Sequence, residues 1–164
     1  MISDKAIDCR PYNSSNTKVT WETCSLRKWL NVTFLKAAFS SAEQTMIADT
    51  NVSADRNPEH STDPGNATTD KVFLLSIDEV NKYFKSDETR KCVPTDYTIA
   101  NRIGTSSGIT KDGIATCLWW LRTPGVYQRS AAEVYSDGSI VYKGSHVDNF
   151  SVGIRPAMWI TWSD

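Results

Sequence analysis

Apolar positions come at helical spacing in the first half of the chain and in runs cut by turns in the second. In residues 21–30, Leu26, Trp29 and Leu30 fall at i, i+3 and i+4, which makes one apolar stripe of a helix. Thr33 is placed to cap a second short helix over residues 34–39, and Ser41-Ala42-Glu43-Gln44 reads as a capping box opening a third. Residues 49–70 show no period and are rich in Asp, Asn, Thr and Pro, so a long surface loop is expected there. Val72-Phe73-Leu74-Leu75 reads as a short buried strand. It leads into Ser76-Ile77-Asp78-Glu79, another capping box, with Val80, Tyr83 and Phe84 on one face of the following helix. A further short helix is expected over residues 95–102.

The period changes after Gly104. Residues 104–113 read as a flexible polar linker, and apolar segments follow at 115–122, 131–135, 140–142 and 152–160. Ser136-Asp137-Gly138-Ser139 carries the Asp-Gly signature of a tight hairpin. Helices first and a sheet afterwards predict an α+β domain, with helices flanking a twisted antiparallel sheet formed mainly by the C-terminal half. The first and last strands are expected side by side, with Trp119, Trp120 and Trp159 buried.

Composition narrows the function. A length of 164 residues with 40% hydrophobic positions and six tryptophans suits a single domain spanning residues 1–164. Lys+Arg total 18 against 19 Asp+Glu, so nothing in the net charge of -1 favours nucleic acid. No apolar run approaches the roughly 20 residues of a membrane helix, so no membrane insertion is expected. The first residues lack the pattern of a signal peptide. A cytoplasmic protein is expected from the chain as it stands, and a cell-surface, secreted or phage-particle one if it is cut from a longer chain. Cys9, Cys24, Cys92 and Cys117 allow three disulfide connectivities, or none. Without a C-x-x-C pair, and with only His60 and His146, they do not make a zinc site. Four reduced thiols packed as small apolar groups are expected, and no cofactor.

Two segments frame the second half: Trp119-Trp120-Leu121-Arg122-Thr123-Pro124-Gly125, and Val152-Gly153-Ile154-Arg155-Pro156-Ala157-Met158-Trp159-Ile160. Each sets a lone arginine in an apolar stretch, where a charge needs partners. Arg122 and Arg155 are therefore expected to bind loop carbonyls or carboxylates, and Gly125 and Gly153 to supply backbone angles closed to other residues. This pair resembles the C-terminal half of a C-type-lectin-like branch that includes formylglycine-generating enzymes and the variable proteins of diversity-generating retroelements. Together with Asp8-Cys9-Arg10-Pro11-Tyr12-Asn13 and Trp21-Glu22-Thr23-Cys24-Ser25-Leu26-Arg27-Lys28-Trp29-Leu30-Asn31, it also resembles an uncharacterised bacterial and phage domain family. Members of that family tend to begin with a strand hairpin before the Asp8-Cys9 segment, so the resemblance implies a truncated or short N-terminus. No cysteine follows Cys117, so the cysteine pair of formylglycine-generating enzymes is missing. The Glu-Pro-Asn and Trp-Asn-Asp ligand sets of calcium-dependent lectins are missing too. Retroelement diversification of AAC codons never yields Trp, Met, Gln, Lys or Glu. Between Val126 and Val152 only Gln128, Glu133 and Lys143 are of those types, against about four expected from whole-chain composition, a difference that decides nothing.

What remains is chemistry weighed residue by residue. Gly104-Thr105-Ser106-Ser107-Gly108 matches the G-x-S-x-G nucleophile elbow, but no buried strand precedes it and no helix follows. His146 lies among Ser145, Asp148 and Ser151, and a hydrolase acting through Ser106 or His146 is the alternative function; a structural accessory domain without ligand is another. Asp55, Glu59, Asp63 and Asp70 match no calcium-loop spacing and read as solvated charge. Asn13, Asn31, Asn51, Asn66 and Asn149 each head an N-x-S/T sequon, which matters only in a eukaryotic secretory setting. Between the framing segments lie Tyr127, Arg129, Tyr135, Tyr142, His146, Asn149 and Phe150. Tyr and Arg dominate binding hot spots because they combine large area with hydrogen bonding. The expected function is a non-catalytic module that presents these residues to a protein or glycan, possible retroelement diversification included.

Overall fold

The computed structural model describes residues 1–101 and 103–161. Strand β1 (Asp8–Cys9) is followed by a helical run made of α1 (Ser25–Trp29), a π-helical segment (Leu30–Phe34) and α2 (Leu35–Ala38), and then by α3 (Ser41–Met46). The chain goes on through β2 (Thr50–Val52), β3 (Thr68–Asp70), α4 (Ile77–Tyr83), α5 (Asp87–Arg90) and α6 (Asp96–Ala100). It ends in β4 (Thr105–Lys111), β5 (Ile114–Cys117), β6 (Trp119–Pro124), β7 (Ser130–Val134), β8 (Ile140–His146) and β9 (Gly153–Ile154). This is an α+β protein whose strands lie mostly in its C-terminal half.

The main sheet has the order β1-β9-β6-β7-β8. Every pairing is antiparallel except that of β6 with β9, which run parallel with Trp119 opposite Gly153. β1 lies against β9, so the first and last strands meet as expected. Two hairpins, β2–β3 and β4–β5, stand outside this sheet.

Trp119 and Trp120 show why the sheet is covered on both faces. Neighbours on a strand point to opposite sides, yet both are 0% exposed. Trp119 meets Phe84 at 6.1 Å, just past α4, while Trp120 meets Tyr12 edge-on at 5.8 Å. One face is thus closed by the α4 region and the other by the N-terminal segment leading to α1, with Leu26 of α1 and Leu30 of the π segment buried.

Several local expectations need correction. Thr33 starts no new helix: the run from Ser25 to Ala38 is unbroken, because Leu30 and Leu35 both pack into the core through the π segment. The third helix is capped one residue early, by Ser40, whose hydroxyl accepts from the Glu43 amide. Ser76 caps α4 as read, with Glu79 closing the box, but Tyr83 is exposed. Residues 72–75 are buried, though only Phe73 makes a ladder contact, with Ala157. Thr95 caps the helix Asp96–Ala100, and Arg102 lies outside the described residues. Residues 104–113 are no linker, since β4 pairs with β5 across them. Trp159 is 52% exposed and lines, with Phe73, Tyr83 and Phe84, an apolar cavity of about 280 Å³.

The arginines behave differently from each other. Arg122 locks loops as expected: it donates to the Ser53 and Leu74 carbonyls and to the carboxylates of Asp55 and Glu79. Arg155 donates to the Ser3 carbonyl and stacks on Trp119, its guanidinium carbon 4.6 Å from the ring centroid. Gly125 and Gly153 are required for closeness and not for unusual angles. A Cβ on Gly125 would stand 2.3 Å from the Lys143 carbonyl oxygen, and one on Gly153 2.8 Å from that of Leu118.

Candidate functional site

The long polar loop is pinned down. Asn57, 4% exposed, donates to the carbonyls of Pro124 and Tyr142, both at 2.8 Å. Thr62 donates to the Gly125 carbonyl at 2.7 Å. Asp70 is not solvated: it accepts from Trp21 Nε1, Arg27 Nε and Thr68 Oγ1, which ties the Trp21–Arg27 motif to β3. Asp55 pairs with Arg122, so two of the four loop carboxylates serve arginines. Among the described residues no group of three or more His, Cys, Asp or Glu is placed to hold a metal ion.

These contacts fix the end of the sheet where β6 hands over to β7. The turn closes with Gly125 N–H donating to the Ser130 carbonyl at 2.8 Å, and Ser130 Oγ accepts from the Tyr127 amide at 2.9 Å. Gln128 donates its side-chain amide to the carbonyls of Val19 and Asp63 at 3.1 and 2.9 Å, and the Val19 amide returns a bond to the Gln128 carbonyl. Tyr127, flanking that anchor, is left 67% exposed, and Arg129 on its other side is exposed as well. His146 lies opposite Ser130 on β8, and its Nδ1 is 3.4 Å from the Asn16 side-chain amide. Asn16, Thr17, Lys18, Tyr127, Gln128 and Arg129 line one open groove, with no acidic side chain in its wall.

The residues singled out from the sequence therefore divide. Tyr127, Arg129 and His146 come together at this end. Asn149 spends its carboxamide oxygen on the Ser151 amide and hydroxyl, which shapes the turn after β8. Phe150, 65% exposed, follows on that strap near Gly104, whose amide donates to the Ser151 carbonyl. Tyr142 is half-buried against the core. Tyr135 sits at the opposite end of the β7–β8 hairpin, its amide donating to the Ser139 carbonyl at 2.8 Å. Asn16 and Lys18 were not singled out. They sit in the run Asn13-Ser14-Ser15-Asn16-Thr17, whose side chains bond back to their own backbone: Asn13, 7% exposed, donates to Ser15 O and accepts from the Ser25 amide.

The catalytic alternatives gain no geometry from the structure. Ser106 sits in β4 opposite Thr116, a strand position without the strand-to-helix turn of an elbow. Ser145, beside His146, donates to Glu133 instead. Glu133 is itself buried, and desolvation, partly offset by that hydroxyl, lifts its carboxyl from 4.5 to about 7.

Over residues 1–162 the chain matches the family described as a domain of unknown function, DUF6273, and it belongs to that family. No curated protein and no solved structure matches it.

Proposed function

We propose that this DUF6273 domain is a binding module that takes an anionic glycan in the groove between residues 16–18 and the β6–β7 turn. The observation that carries the reading is Tyr127 held 67% exposed on a turn anchored by the hydrogen bonds of Gly125, Gln128 and Ser130. An exposed aromatic on a fixed backbone offers a sugar's CH face a stacking surface at little backbone ordering cost. Asn16 supplies a carboxamide for sugar hydroxyls, while Gln128, whose N–H groups are spent on the Val19 and Asp63 carbonyls, holds the turn in place. Lys18 and Arg129 supply charge for a carboxylate or sulfate, with Arg129 able to bind it through two N–H groups. A protein partner would call for a cluster of apolar side chains at the hot spot, and this groove offers a single ring among residues with polar or charged ends.

The C-type-lectin-like resemblance points the same way. Its support is the pairing of β1 with β9 and the Gly153-Ile154 strand lying beside the Trp119 strand. We do not extend the proposal to hypervariable display. Residues 126–152 include Ala131, Ala132 and Val134, each at most 1% exposed, and a diversified stretch there would break the core.

A glycan array read with the wild-type protein and the Tyr127→Ala and Arg129→Ala variants tests this. Both side chains are exposed, so the variants should melt with the parent. Binding to sulfated or carboxylated glycans should weaken at least tenfold in each, by about 1.4 kcal/mol or more. Absence of any bound glycan, or binding that ignores both substitutions, contradicts the reading.

A further inference from the structure

We propose that Cys92 and Cys117 form an oxidation site, closing to a single disulfide when the protein meets a peroxide and reopening with a dithiol. Of the three connectivities that four cysteines allow, this is the pairing the fold sets up. Cys92 and Cys117 are bridge partners on antiparallel chain segments, with the Cys117 amide donating to the Cys92 carbonyl at 2.9 Å. Directly opposed residues of an antiparallel pair have Cα atoms roughly 4.5–5.5 Å apart, inside the roughly 4.4–6.8 Å span of disulfides. The other two thiols are tied to other partners: Cys9 donates to the Asn101 carbonyl at 3.1 Å, and Cys24 caps α1. Cys117 Sγ instead donates at 3.5 Å to the carbonyl of Cys92 itself, and Cys92 Sγ to that of Val93.

A second observation concerns Arg155. This arginine is 4% exposed, its Nη1 has no hydrogen-bond partner, and among the described residues it makes no salt bridge. A buried cation without a carboxylate is costly; this one lies over the Trp119 and Phe84 rings, at 4.6 and 5.4 Å, and its charge also acts on the two sulfurs. The hydrogen bond within the pair holds the Cys92 thiol below its ordinary 9.0 and pushes Cys117 well above it. Cys92 is thereby the nucleophile, since the thiolate is the attacking form. Both sulfurs are 0% exposed, which selects a small oxidant.

The chemistry balances with hydrogen peroxide. The Cys92 thiolate attacks one peroxide oxygen; an S–O bond forms, the O–O bond breaks and hydroxide leaves. The Cys117 sulfur then attacks the resulting sulfenic sulfur, the S–S bond forms and a second hydroxide leaves. The two thiol protons convert both hydroxides to water. Two thiols and one peroxide give one disulfide and two waters.

The test is peptide mapping of the intact wild-type protein after graded peroxide, with free thiols alkylated under denaturing, non-reducing conditions. The expected product is one Cys92–Cys117 cross-linked peptide, with Cys9 and Cys24 alkylated, and its loss after dithiothreitol. The bond spans 25 positions, and the melting midpoint should rise by roughly 5–10 °C. In Cys117→Ser, dimedone should label Cys92 instead. Recovery of both residues as free thiols, a disulfide to any other cysteine, or sulfinic acid at Cys92 without the cross-link overturns the proposal.

Discussion

Glu133 is an acid in an apolar strand, 4% exposed, with one carboxyl oxygen bound by Ser145 and the other unpartnered. Its carboxyl is raised from 4.5 to about 7 by burial, so the folded protein holds this proton more tightly than the unfolded chain does. The linkage then has one sign: the contribution is full below pH 4.5 and is lost as pH climbs towards 7. Urea unfolding of the parent should lose roughly 2–3 kcal/mol of stability across that window, and Glu133→Gln should flatten the loss and be the more stable form at pH 8. A parent curve that rises between those values would contradict this. The burial of Glu133 was not legible in Ala131-Ala132-Glu133-Val134, because no single-residue signal says that a strand is buried on both faces. Arg122 was legible, since a lone arginine among Trp and Leu has to find acceptors. Its partners were not, as Asp55 lies 67 positions away in sequence.

At the scale of elements, what could be read depended on how local the cause was. The Ser76 box was visible because cap and Glu79 are three residues apart. The unbroken helix through Thr33 was hidden, because Leu30 and Leu35 hold it by tertiary packing. Asn31, within the π segment, shows the same dependence: it accepts from the Lys71 and Val72 amides and donates to the Val72 carbonyl, a clamp reaching 41 positions along the chain. Gly144, at φ +66°, stands in the bulge of β8, where a Cβ would lie 1.9 Å from the Ala131 carbonyl oxygen. Gly144→Ala should cost roughly 1–3 kcal/mol from the backbone angle alone and more from the overlap, read as a lowered urea midpoint. A neutral substitution would show that the bulge gives way.

Across the whole molecule, a two-faced sheet closed by its own chain ends leaves one end to be finished by loops. Tyr127, Arg129 and His146 were legible there as exposed types between two framing strands. Lys18 and Asn16 were not, because the Val19–Gln128 bond that brings them alongside spans 109 positions. Among the described residues no helix is long and apolar enough to cross a membrane. The direct test of the groove is an amide chemical-shift map, recorded while a sulfated or carboxylated oligosaccharide selected on the array is titrated into the ¹⁵N-labelled domain. The account predicts saturable shifts centred on residues 16–18, 127–129 and 146. Shifts centred instead on Phe73, Tyr83 and Trp159 would contradict it.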